Sequence, residues 1–127
     1  MTVAILDTTV IIHIFRKDID ALNWFKGQVE TFSITPVTWM EVMVGVANKR
    51  SQADSLALLR GFEMIYLTSP DFDLAMQQML LHRLSRGVGT MDCFNAAVCQ
   101  RLQKPIYTHN VKDLQKLLPA SLVVKPY

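Results

Sequence analysis

The chain has 127 residues, half of them hydrophobic, which is enough to bury most of the apolar surface of one compact domain and leaves no room for a second. Thirteen basic residues against eleven acidic ones give a net charge of +2 and a pI near 8.6, so any site for a polyanion has to be local. Polar and charged residues break every apolar run well short of the roughly 20 residues that span a bilayer, and the N-terminus lacks the basic lead and cleavage site of a signal peptide; a cytoplasmic protein is expected.

Residues 2–6 form a short apolar, β-prone run ending at Asp7, and residues 8–15 continue as a buried helix. A helical stretch at 19–28 precedes a second β-prone run at 31–35, after which residues 36–48 read as a helix. Leu56, Leu59 and Phe62 mark a helix over 51–61, and residues 64–67 make a short edge strand. Ser69-Pro70-Asp71 is a helix start. The helix it opens carries Leu74, Met76, Met79, Leu80 and Leu84 on one side through residues 72–85, and the Gly87-Val88-Gly89 loop stops it. Thr90 begins another helix running to 103, followed by a buried strand at 105–108, a short helix at 111–118 and a last strand at 122–124. Such alternation predicts a three-layer α/β/α fold with a mostly parallel central sheet. Cys93 and Cys99, six apart on one helix, point to different faces and are expected as small core residues rather than a disulfide or zinc pair.

Acids are rarely buried without a partner, yet Asp7, Glu41 and Asp92 each sit in an apolar segment. Asp7 stands at the carboxyl end of a strand, where ligands collect in an open parallel sheet. Glu41 and Asp92 are expected in the first turns of their helices, which would bring all three over one sheet edge. Carboxylates crowded in that way repel unless a divalent cation neutralises them. Each also has a plain structural reading: a capping box over Thr38-Trp39-Met40-Glu41, a favourable first-turn charge for Asp92 beside a Thr90 cap, and local hydrogen bonds in Asp7-Thr8-Thr9.

These segments resemble PIN-domain nucleases, and among them the toxins of VapBC toxin–antitoxin pairs. Leu6-Asp7-Thr8-Thr9-Val10-Ile11 is similar to the family's strand and Asp-Thr-Asn turn, with Thr9 in place of Asn. Thr38-Trp39-Met40-Glu41-Val42-Met43-Val44-Gly45 resembles its Thr-x-x-Glu-x-x-x-Gly segment, and Gly87-Val88-Gly89-Thr90-Met91-Asp92-Cys93-Phe94-Asn95-Ala96-Ala97 its third acidic helix start. The closing stretch Thr108-His109-Asn110-Val111-Lys112-Asp113 departs: Asn110 stands where some members have an acid, so the fourth carboxylate is either Asp113 or absent from the first metal shell.

The resemblance covers nearly the whole chain. It implies a PIN-like fold and hydrolysis of RNA with Mg²⁺ or Mn²⁺. Asp7 and Asp92 would be the chief ligands, Glu41 would bind metal through water or orient the attacking water, and Asp113 would assist from the side. Thr8 and Thr108 are secondary candidates for holding a carboxylate or phosphate, against the alternative that each bonds its own backbone. Among Arg83, Arg86, Arg101, Lys104 and Lys112, Arg86 and Lys112 are the basic residues to test against RNA phosphates, and His109 is expected as an exposed turn residue. Apolar surface on Trp24, Phe25, Trp39, Phe62, Met40, Met43, Met76 and Met79 exceeds what a small monomer usually hides. That surplus and the resemblance together imply a homodimer and a VapB-like antitoxin partner. Competing readings are a PIN nuclease of RNA processing without an antitoxin and an inactive PIN fold that holds RNA or protein. A receiver-like phosphate protein is opposed by the lack of paired acids after the first strand.

Overall fold

A computed structural model describes residues 2–127. The chain runs β1 (Thr2–Leu6), α1 (Thr8–Phe15), α2 (Ile19–Lys26), β2 (Thr31–Ile34), α3 (Pro36–Val44), α4 (Lys49–Leu59), β3 (Glu63–Met64), α5 (Ser69–Arg86), α6 (Thr90–Leu102), β4 (Ile106–Tyr107), α7 (Val111–Leu114), a 3₁₀ turn (Ala120–Leu122) and β5 (Val123–Val124). The five strands form one sheet in the order β3-β2-β1-β4-β5, and every neighbouring pair is parallel.

An all-parallel sheet needs cover on both faces, and β1 shows how the sequence supplies it. Side chains alternate along a strand, so Ala4 and Leu6 enter one core cluster while Ile5 enters the other. The first cluster takes Val10, Ile11 and Ile14 from α1, Ala21 from α2, Val42 from α3 and Leu59 from α4. The second takes Ala75 from α5, Cys93, Ala96, Ala97, Val98 and Cys99 from α6 and Leu114 from α7. Three layers result, as the alternation of elements predicts. Both cysteines are free and buried.

Local signals set the helix starts. Thr35 caps α3 with Pro36 next to it, and Thr68 with Asp71 forms a capping box opening α5, which ends at Gly87 in the left-handed region (φ 68°). The start at Thr35 corrects the expected capping box at Thr38–Glu41: Thr38 is already in the first turn, its amide bonding Thr35 Oγ1, and Glu41 lies in the second turn. Likewise Gly89, not Thr90, is the N-cap of α6. Several ends are shorter than the pattern suggests. α3 stops before Gly45 rather than at 48, and α7 closes at Leu114 because the chain tightens into turns that seat Leu117 and Leu118 ahead of Pro119. The edge strand falls at 63–64 instead of 64–67, where Ser33 and Ile34 offer partners.

Candidate metal centre

The chain steps outward from β1 to β2 and β3, then crosses back to place β4 on the other side of β1. A crevice therefore opens at the carboxyl ends of β1 and β4, the place where parallel α/β sheets bind ligands. Asp7 follows β1 directly and Thr108 follows β4, and the Thr108 hydroxyl donates to Asp7 Oδ2 at 2.7 Å. Thr9 donates to the same oxygen at 3.1 Å, while its own hydroxyl accepts the His109 amide at 3.1 Å. Asp7 is the N-cap residue of α1 but does not cap that helix with its side chain, so its buried carboxylate is held for something other than the helix start.

Glu41 reaches the crevice from α3, and Thr8 Oγ1 donates to its Oε1 at 2.7 Å. Thr8 and Thr108 thus hold carboxylates, as one of the two readings of the sequence has it. Thr108 also accepts the Asn110 amide at 2.8 Å, so both of its alternatives are realised. Asp92 is the third residue of α6, and burial pushes its carboxyl up to about 6, followed in order by the charges of Asp7, Asp113 and Glu41; Lys116 acts in the opposite sense. Four acids from four separate elements therefore share one electrostatic field. Asp113, on α7, is kept below the ordinary carboxylate range by hydrogen bonds from the Lys116 side chain and then from Asn110.

The donor set is all oxygen, which suits a hard divalent cation such as Mg²⁺ or Mn²⁺. Among the described residues no three His, Cys, Asp or Glu side chains close into a tight ligand shell. Mg²⁺ keeps several waters and takes one or two carboxylates directly, so a hydrated ion does not need a closed three-carboxylate shell. The other buried acid, Asp71, belongs elsewhere. Its carboxylate binds Arg101 Nε at 2.9 and 3.0 Å, tying α5 to α6.

That pair takes Arg101 away from any RNA-facing role. Arg83 bonds the Gly87 and Val88 carbonyls, Arg86 bonds the Lys116 carbonyl, and Lys112 is exposed on α7. His109 is a further correction. Rather than an exposed turn residue, it is half-buried, with its ring 4.7 Å from that of His13 and 4.4 Å from that of Tyr127. Trp24, Phe25, Trp39, Phe62 and Met43 pack against the core, whereas Met40 and Met76 stay exposed. Sequence reasoning passes over two features. One is Lys116, three residues after Asp113. The other is a buried chain in which Thr35 Oγ1 donates to Asn95 Oδ1 at 2.6 Å and Asn95 Nδ2 donates to Thr38 Oγ1 at 3.2 Å, fastening α6 to the start of α3. A polar Asn95 inside the apolar run Cys93 to Ala97 is the signal that could have revealed it.

The PIN domain profile matches residues 4–114, a span that includes all four acids. The chain belongs to the PIN domain family. Among solved structures, a toxin–antitoxin complex from Klebsiella pneumoniae is similar at 25% identity over 98% of each chain, with a TM-score of 0.78. A VapBC complex from Rickettsia felis bound to a promoter DNA fragment shares the fold at 16% identity over 94% of this chain and 96% of that one (TM-score 0.77). VapBC-1 from nontypeable Haemophilus influenzae does so at 21% identity over 89% and 90% (TM-score 0.73). No curated protein sequence matches the chain.

Proposed function

We propose that this PIN domain is a Mg²⁺- or Mn²⁺-dependent endoribonuclease and the toxin of a VapBC-type pair. The observation that carries the reading is the pair of carboxylates held by threonine hydroxyls at the end of β1, buried Asp7 by Thr9 and Thr108 and Glu41 by Thr8, beside the crevice between β1 and β4. A divalent ion bound there would polarise the scissile phosphate and make its bound water a better nucleophile. Asp7 and Asp92 would hold the ion directly. Glu41, fixed by Thr8, would orient the attacking water or bind the ion through one. Thr108 and Thr9 keep Asp7 Oδ2 in place, and Asp113, hydrogen-bonded by Lys116 and Asn110, would assist from the side.

The partner side of the reading is an antitoxin, as in the toxin–antitoxin structures that share this fold, together with a second copy of the chain. Phe72, Met76, Leu80 and Leu84 repeat every four residues along α5 and are all exposed, with Leu84 fully so. A stripe of that kind is assigned to the homodimer. An antitoxin that brings a basic side chain to the carboxylates would compete with the cation.

Purified protein incubated with RNA and Mg²⁺ or Mn²⁺ tests the activity. Cleavage is expected from the wild type, is lost in EDTA, and falls at least about 100-fold in Asp7→Asn and Asp92→Asn, the order expected when a group acting in the transition state is removed. Variants that cut as fast as the wild type refute the assignment. RNA binding without cleavage by the wild type would favour the inactive PIN reading.

A further inference from the structure

The hydroxyls that hold Asp7 are themselves held. Thr9 Oγ1 accepts the His109 amide at 3.1 Å and Thr108 Oγ1 accepts the Asn110 amide at 2.8 Å, while both hydroxyls donate to Asp7 Oδ2. Two consecutive amides of the loop after β4 therefore orient both donors, and the position of that loop decides where Asp7 Oδ2 lies. The loop begins from a fixed point, because the Thr108 amide donates to the Val124 carbonyl of β5 at 2.9 Å. Its next residue, His109, turns its ring inward, and the ring Nε2 is buried with no hydrogen-bond partner among the described residues.

Buried polar atoms are nearly always bonded, so a bare ring nitrogen persists only where its surroundings over-determine its place. Here the surroundings are two more rings from distant parts of the chain. His13, on α1, meets His109 edge to face with ring centres 4.7 Å apart, and Tyr127, beyond β5, lies 4.4 Å from it. A hydrogen bond of 3.0 Å between His13 Nδ1 and Tyr127 Oη closes the trio, and Trp24 on α2 stands 5.6 Å behind the tyrosine ring. Burial first, then the charges of His13 and Lys125, keep the His109 imidazole below its ordinary range, with Asp18 acting in the opposite sense. A neutral ring leaves Nε2 free of a proton that would find no acceptor there. We propose that Tyr127 and His13 are positioning residues for Asp7, acting through the His109 ring to hold the loop whose amides orient Thr9 and Thr108. The proposal rests on reading Asp7 as a ligand of the catalytic ion, and it adds what keeps that carboxylate in place.

Nuclear magnetic resonance of the full chain tests the link without reference to cleavage. In Tyr127→Ala the His109 and Asn110 amides exchange with solvent at least about tenfold faster than in the wild type, the order expected when one set of contacts fixing a segment is removed. The Ile5 amide, bonded to the Pro105 carbonyl inside the sheet, keeps its wild-type rate. The His109 ring, uncovered, titrates closer to its ordinary value, and the Asp7 carboxyl carbon signal moves in the direction it takes in Thr108→Val. Tyr127→Phe, which keeps the ring and loses only the bond to His13, recovers most of the protection. In RNA cleavage Tyr127→Ala lowers kcat about tenfold with KM changed by less than about twofold, since orientation rather than substrate binding is lost.

Unchanged exchange at His109 and Asn110 in Tyr127→Ala overturns the proposal, as does an acceleration shared equally by Ile5, which would mean general destabilisation. An Asp7 signal that stays at its wild-type position overturns it too, and so does an undiminished kcat in a variant whose loop has loosened. The expected resonance pattern in a wild type that cuts no RNA removes only the nuclease reading and leaves the link from Tyr127 to Asp7 standing. Cleavage by the wild type with none of that pattern in the variants removes only the link.

Discussion

Replacing Asp92 by Asn should stabilise the protein in EDTA. In the folded chain the Asp92 carboxyl is pushed from near 3.8 up to about 6, first by burial and then by Asp7, Asp113 and Glu41. Two pKa units correspond to about 3 kcal/mol of unfavourable ionisation, and partial solvent access reduces the expected effect to about 1–3 kcal/mol. The folded state binds this proton more tightly than the unfolded one, so the contribution of Asp92 to stability falls as pH rises from about 4 to about 6 and stays low above that. The amide of the Asp92→Asn variant is uncharged at every pH and escapes the loss.

Urea unfolding followed by far-ultraviolet circular dichroism is the assay. At pH 8 in EDTA the Asp92→Asn midpoint should exceed that of the wild type by about 1 M, given a urea slope on the order of 1–3 kcal/mol per molar. Near pH 4, where the wild-type carboxyl is protonated in the fold, the two midpoints should converge. Adding Mn²⁺ at pH 8 should raise the wild type and leave the variant unmoved, since a ligand stabilises only the state that binds it. A variant less stable than the wild type at pH 8 in EDTA would refute the claim that burial and the neighbouring negative charges oppose ionisation of Asp92.

The same proton links metal affinity to pH. Mn²⁺ must displace it below about 6, so the apparent Kd should rise roughly tenfold for each unit from pH 6 to pH 5 and change little from pH 7 to 8, as measured by calorimetric titration. Thr108→Val removes a hydroxyl donated to a buried carboxylate and should cost about 1–3 kcal/mol in urea unfolding, with Thr108→Ser restoring most of it; equal stability of all three proteins would discard the role given to Thr108. Leu80→Glu with Leu84→Glu should halve the mass seen by light scattering with no change in helix content. A dimer that survives both charges places its interface elsewhere.

The parts of the site legible in the sequence are those whose signal is local. An acid inside an apolar run is conspicuous wherever the run lies, which is how Asp7 and Asp92 stand out, and strand-end topology places Asp7 without reference to any other residue. Glu41 is found but set one turn too early, because Thr38-x-x-Glu41 competes with Thr35-Pro36 for the helix start and the proline, pre-set for the first helical position, prevails. Short strands are the least legible elements. β3 and β4 are two residues each, and their limits are set by partners Ser33, Ile34, Ile5 and Leu6 rather than by their own composition. Asn95 owes its role to hydrogen bonds across the fold with Thr35 and Thr38, and no periodicity within the chain encodes those.

Hydrogen bonding divides the acids into two kinds, and that division bears on how a cation would enter. Asp7 receives two hydroxyls and Glu41 one, all from threonines fixed at the ends of β1 and β4, while Asp113 has Lys116. Asp92 has burial and three negative neighbours against it and only the more distant Lys116 in its favour. Folding therefore settles the orientation of Asp7 and Glu41 before any ion arrives, sparing binding about 0.5–1.5 kcal/mol for each side chain that no longer has to be immobilised. Asp92 is left as the carboxylate with the most to gain from a positive partner, whether proton or divalent ion. Below about pH 6 metal capture would therefore require Asp92 to lose its proton, and occupancy of the site would follow the competition at this side chain.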